Sequence, residues 1–195
     1  LNDDHPMDIV STFMGPHAVP DEYKGNADGY IDLVCEKMLP YVKEHGLAEF
    51  ADVFCEEGVF DVAQSRRYME KAKALGFGLK IHADEIEEIG GSELAGEMKA
   101  VSAEHLIAIG ESGMASMADG GTTAMLLPAT SFYLGKTFAP ARRMIQLGIP
   151  VAMASDFNPG SCPSLNLQFV INLGYLRYKL TPEEILTAVT INPAC

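Results

Sequence analysis

Six short runs rich in β-branched or bulky apolar residues punctuate the chain: IVSTFMG (9–15), ADVFCEE (51–57), FGLKIHA (77–83), AVSAEHL (100–106), TTAMLLP (122–128) and VAMASDF (151–157). Successive runs begin between 22 and 42 residues apart. That leaves room for one strand, one helix and two loops, the βα unit of a parallel sheet. The intervening segments carry helix start signals of their own. Asp61 with Gln64 predicts a capping box opening DVAQSRRYMEKAKALG, and Gly76 predicts its stop. Ser92 is expected to cap SELAGEMKA. Thr181, Pro182 and Glu184 combine an N-cap, an N1 proline and an N3 carboxylate. No repeat, low-complexity tract or linker divides the sequence, so residues 1–195 are expected to form a single domain.

Repeated βα units give either an open doubly wound sheet or a closed barrel. His17, Glu56, Glu57, His82, Glu85, His105 and Asp156 all fall at or just past the C-terminal end of a predicted strand. A parallel barrel gathers its site at that face from many strands at once. An open sheet concentrates ligands at one switch point, often with a glycine-rich phosphate loop, and no such loop occurs. The barrel is the expected α/β architecture. Six units fall short of eight, and 195 residues fall short of the roughly 250 typical of that fold. An incomplete (β/α)8 barrel of the TIM type is therefore expected.

Charge narrows the partners. The chain holds 14 basic and 27 acidic residues, a formal net charge of −13. Nucleic acid and anionic membranes need a basic footprint, so neither is expected to bind. Cys35, Cys55, Cys162 and Cys195 form no CxxC pair, and reduced thiols are the simpler reading. LNDDHPMDIV lacks the basic start and apolar stretch of a signal peptide. No window reaches the roughly 18 apolar residues that cross a bilayer. A soluble, cytoplasmic protein is expected.

In GLKIHADE, strand alternation sends Leu79 and Ile81 to one face and Lys80 and His82 to the other. With the apolar pair against the covering helices, His82 points into the barrel mouth, where a neutral imidazole suits a divalent metal. Glu85, three residues on, is placed to act as a general base on a metal-bound water. Alone, a histidine at a strand end is more often a partly buried hydrogen-bonded residue than a ligand. Asp156 alone reads as a cap for the turn that follows, and His105 as either a site residue or the start of a helix. His17 lies in a Pro/Gly loop, His45 reads as a helix C-terminal residue, and Arg142 and Arg143 read as a helix surface. Recurrence at successive strand ends favours a shared site. His, His, Asp and a mobile Glu form a set suited to metal-assisted hydrolysis.

STFMGPHAVP, FADVFCEEGVF, KIHADEI with GGSELA, SAEHL, LLPAT with APAR, and SDFNPGS with LTPEE and TINPA follow one another along essentially the whole chain. In that order they resemble the imidazolonepropionase family of metal-dependent amidohydrolases. The resemblance implies that His82 and Asp156 bind one zinc or iron ion. Glu85 would be the general acid/base, His105 would polarise the ring carbonyl or hold the nucleophile, and Asp156 could also accept a proton. His17 would contact the substrate, with Asn158, Gly160 and Ser161 shaping the pocket. The implied reaction is hydrolysis of 4-imidazolone-5-propionate to N-formimidoyl-L-glutamate by metal-activated water, opening a cyclic amide C–N bond.

The sequence departs from that family at one point. The family has a His-x-His pair on its first barrel strand, and none occurs in these residues. Counting back from Asp156 on strand eight makes IVSTFMG the third strand, so strands three to eight are expected. The chain then reads as a piece of a longer enzyme, expected to be inactive or weak in metal binding alone, with exposed edges that favour oligomers such as a homodimer. The alternatives are another amidohydrolase of the deaminase or chlorohydrolase type, or a non-catalytic barrel fragment.

Overall fold

A computed structural model describes residues 5–194. Its centre is one parallel sheet of six strands: β1 (Thr12–Phe13), β2 (Phe50–Cys55), β3 (Gly78–Ala83), β4 (Ser102–His105), β5 (Thr123–Leu126) and β6 (Val151–Met153). They pair in chain order, β1-β2-β3-β4-β5-β6. Each predicted run coincides with one strand, with β2 starting one residue ahead of its run, and the strands are shorter than the runs. VAMASDF ends its strand at Met153 because the next residues leave the sheet to build the rim.

Among the described residues nine α-helices connect and cover these strands: α1 (Ala27–Leu33), α2 (Leu39–Glu44), α3 (Val62–Ala74), α4 (Gly91–Met98), α5 (Glu111–Gly120), α6 (Pro128–Tyr133), α7 (Ala141–Gln146), α8 (Leu167–Leu176) and α9 (Pro182–Val189). A π-helical turn, Val34–Met38, joins α1 to α2. In β2 and β3 the apolar residues Ala51, Val53, Cys55, Leu79, Ile81 and Ala83 are buried. The alternate positions, Asp52, Lys80 and His82, face inward. There Lys80 Nζ lies 2.6 Å from Glu104 Oε1 and donates to Ser102 Oγ at 2.5 Å, so the inner charge is paired.

Both predicted capping boxes form. Asp61 Oδ1 accepts from the Gln64 amide at 2.8 Å and opens α3, while Thr181 and Glu184 open α9 in the same way. Ser92 is not a cap. Helix α4 begins at Gly91 behind Gly90, whose φ of 101° only glycine adopts without strain. The Gly-Gly pair turns the chain one step earlier and leaves Ser92 fully buried inside the helix. Helices α4 and α5 approach closely at Gly96, where a Cβ would stand 2.1 Å from the Ser116 carbonyl oxygen. His45 caps the C-terminus of α2, with Nδ1 2.9 Å from the Tyr41 carbonyl oxygen.

Cys35, Cys55 and Cys162 are buried free thiols, and Cys195 lies outside the described residues. Among the described residues no helix is long and apolar enough to cross a membrane.

Candidate active site

The site starts from an acid in the middle of a strand. Alternation along β2 puts Asp52 on the inner face, two positions before Phe54, which pairs in register with His82. Asp52 is 1% exposed, and a carboxylate that far from water must be paired. Its Oδ1 lies 3.0 Å from His82 Nδ1 and 3.2 Å from His17 Nε2. An ionised carboxylate only accepts, so both ring nitrogens act as donors toward it. His17 comes from the short 3-10 turn Gly15–His17 just after β1. The His17 and His82 rings stand edge to face with centroids 4.5 Å apart.

Burial alone would raise the Asp52 pKa, but the charge and hydrogen bond of His82, with those of His17, outweigh it and hold the carboxyl below its ordinary range. For His82 the balance tips the same way. Burial favours the neutral ring, yet Asp52, aided by Glu104 and Asp156, pushes the pKa up to about 9. The two shifts describe one ion pair. Nε2 of His82 has no hydrogen-bond partner among the described residues.

His105 stands on the neighbouring strand as the last residue of β4, with φ at 72°, so it ends a strand rather than starting a helix. Its ring centroid is 5.1 Å from that of His82. Its Nε2 lies 3.7 Å from Glu85 Oε2, too long for a hydrogen bond but close enough for the two to feel each other's charge. Its Nδ1 is buried without a hydrogen-bond partner among the described residues. Burial first, and then the positive charge of His82, push the His105 pKa down to about 3, so the ring is neutral at pH 7. Burial raises the Glu85 pKa, partly countered by His82.

Asp156 follows β6, with φ at 53°, and its Oδ2 accepts from Thr130 Oγ1 at 2.5 Å at the start of α6. Its charge acts on both His82 and Glu85. Asn158, Gly160 and Ser161 form a tight turn beyond it. Asn158 Oδ1 accepts from the Gly160 and Ser161 amides, and Nδ2 donates to the Asp156 carbonyl. Arg142 and Arg143 are engaged elsewhere, with Glu184 and Glu111.

The fold thus gathers His17, His82, Glu85 and His105, leaves Asp156 within electrostatic reach, and keeps Asn158, Gly160 and Ser161 in their own turn. It adds Asp52, which sequence reasoning missed although a lone acid inside ADVFC was the available signal. The donor atoms of His17, Asp52 and His82 all lie within 4.8 Å of one another. Two imidazoles and a carboxylate match the nitrogen and oxygen donors that zinc and iron accept, so the residues fit a metal ion.

The Amidohydrolase family aligns with residues 11–195. The imidazolonepropionase of Alkaliphilus oremlandii (strain OhILAs) is 57% identical over 196 residues, covering 100% of this chain and 46% of that relative. The imidazolonepropionase of Streptococcus pyogenes serotype M49 (strain NZ131) is 54% identical over 195 residues, with the same shares covered. The chain thus spans less than half the length of these curated relatives. Among solved structures, guanine deaminase from C. acetobutylicum with bound guanine superposes with a TM-score of 0.73 at 13% identity, covering 95% of this chain and 51% of that one. A zinc-bound adenosine deaminase from Xanthomonas campestris gives 0.65 at 17% identity, over 89% and 43%. At those identities the likeness establishes the fold alone: an incomplete barrel of the amidohydrolase kind.

Proposed function

This chain belongs to the Amidohydrolase family, and from that premise we propose that its protein hydrolyses the cyclic amide C–N bond of 4-imidazolone-5-propionate, giving N-formimidoyl-L-glutamate, in the cytoplasm. The observation that carries the reading is the buried His17–Asp52–His82 group beside the Glu85–His105 pair, on adjacent strand ends. The similarity of the full chain to imidazolonepropionases supports this choice of substrate. Residues 1–195 are read as one partial barrel domain.

A single zinc or iron ion would be held by His82 and Asp156, beside the His17–Asp52 contact, and would supply a Lewis acid that lowers the pKa of water. With Asp52 fixing Nδ1, His82 offers Nε2, the arrangement in which a carboxylate orients a ligand histidine. Glu85 keeps a proton more readily than a surface glutamate. That suits it to take a proton from the attacking water and return one to the leaving ring nitrogen. His105, held neutral, offers a ring N–H to the substrate carbonyl without adding charge. His17, Asn158, Gly160 and Ser161 would shape the substrate's surroundings, and Asp156 would be a second proton acceptor.

Assaying the full-length protein on imidazolone propionate, cyclic ureas and aminopyrimidines tests this. Turnover is expected on the first. Preferential release of ammonia from aminopyrimidines would instead support a deaminase-type amidohydrolase.

A further inference from the structure

We propose that Glu56 is a positioning residue, whose carboxylate fixes the loop that carries Glu85. The proposal rests on the acid–base role read for Glu85 above. Glu56 is the first residue after β2, one strand over from the loop that follows β3, and Cys55 and Ala83 pair in register immediately before both. It is 1% exposed, yet among the described residues no cation pairs with it. Its carboxylate accepts backbone hydrogen bonds instead: Oε2 from Ile86 at 2.9 Å, and Oε1 from Glu87 at 3.1 Å and from Glu57 at 2.9 Å.

Two of these three amides belong to the residues directly after Glu85. The residue before it is tied from the other side, where the Asp84 carbonyl accepts from the Ala108 amide at 2.7 Å. Glu85 is thus bracketed by two anchors, one on the β2 end and one beyond the β4 end. Glu56 is itself rigid. Its amide donates to the Phe60 carbonyl, and its carbonyl accepts from the Val59 amide, both at 3.0 Å. Hydrogen bonds to an ionised acceptor are about twice as strong as neutral ones. Both carboxylate oxygens are occupied by backbone donors, so the group serves the loop rather than a metal.

Glutamine at this position keeps one acceptor oxygen and turns an NH2 group toward an amide that needs an acceptor. Glu56→Gln in the full-length protein is expected to lower kcat about 10- to 100-fold, the scale of an ångström-level misplacement of a reacting group, while KM stays nearly unchanged. Amide hydrogen exchange at Ile86 and Glu87 is expected to quicken, with the global unfolding transition retained. In a Glu85→Gln background, adding Glu56→Gln is expected to change kcat less than about twofold, the scatter of independent effects. Losses that multiply would overturn the positioning role, and unchanged exchange at Ile86 and Glu87 would overturn the anchor itself. Near-normal turnover of Glu85→Gln alone would remove the acid–base reading of Glu85, a separate failure. If Glu56→Gln does not fold, Glu56→Asp, which keeps the charge but shortens the reach, takes its place in the cycle. Loss of folding in both would also overturn the proposal, because the carboxylate would then hold the domain and not one loop.

Discussion

Nδ1 of His82 lies 3.0 Å from Oδ1 of Asp52, and both side chains are shielded from water. The contact fixes which ring nitrogen carries a proton toward the carboxylate and which is left for a ligand. Replacing Asp52 by Asn keeps the volume and removes the charge. Metal affinity of the full-length protein, measured by competition with a chelator, is expected to fall about 10- to 100-fold, the usual effect of losing an orienting carboxylate. Unchanged affinity would exclude Asp52 from the centre, and a loss far beyond that range would make it a direct ligand.

Glu85 is the group proposed to move the proton. Glu85→Gln removes its acid–base capacity without changing its shape. In the full-length protein kcat is expected to drop by about 10²-fold or more, with the metal content intact by elemental analysis. A variant retaining more than a tenth of wild-type turnover would count against the role.

His105 makes stability depend on pH in a defined direction. Its folded pKa, pushed down to about 3 from 6.5, means that the unfolded chain takes up the proton first. The stability it contributes is fully present above pH 6.5 and is lost as the pH falls toward 3. At pH 5.5 the loss is about 1 kcal/mol in the metal-free chain. Asp84, with a pKa raised by burial to about 6, works in the opposite sense at these pH values. The comparison must therefore be between wild type and His105→Asn. Urea midpoints at pH 7 and 5.5 should converge for the two proteins as pH falls. Parallel pH dependence would show that His105 is not buried neutral.

Gly96 tests the packing of α4 on α5. Alanine in a helix interior is favoured over glycine by about 1 kcal/mol. Here the added Cβ would lie 2.1 Å from the Ser116 carbonyl oxygen, which is backbone and cannot swing aside. The clash is expected to win, with Gly96→Ala destabilising by about 1–3 kcal/mol in chemical denaturation. A stabilised variant would mean that the two helices are not in contact at this point.

Much of the fold was legible because its cues are local. The six strands announce themselves through apolar alternation, and the caps at Asp61 and Thr181 through side chains three residues from their partners. Ser92 misled because a cap-forming residue sits just after Gly90 and Gly91, whose backbone freedom starts the helix sooner. For the site, His82, Glu85, His105 and Asp156 were visible as polar residues ending apolar runs. Asp52 was not, since its partners His17 and His82 lie 35 and 30 residues away. Nothing local says which imidazole will fold over a mid-strand acid. The strand ends also looked longer than they are, because residues that lean out to build a rim have the same composition as those that stay in the sheet.

Asp84, His105, Leu106 and Asp156 all bend the chain through the left-handed region, with φ of 49°, 72°, 57° and 53°. For residues other than glycine that conformation costs of order 1 kcal/mol each. The ends of two neighbouring strands and of β6 are therefore places where endurance and chemistry pull apart. A library selected for heat resistance alone would gain by placing glycine at Asp84, His105 or Asp156, though not at Leu106, whose side chain fills the core, and each such gain at His105 or Asp156 would erase a side chain of the proposed site. Heat-hardened variants that keep turnover should carry their stabilising changes on the outer helices instead, leaving the rim as tense as it is now.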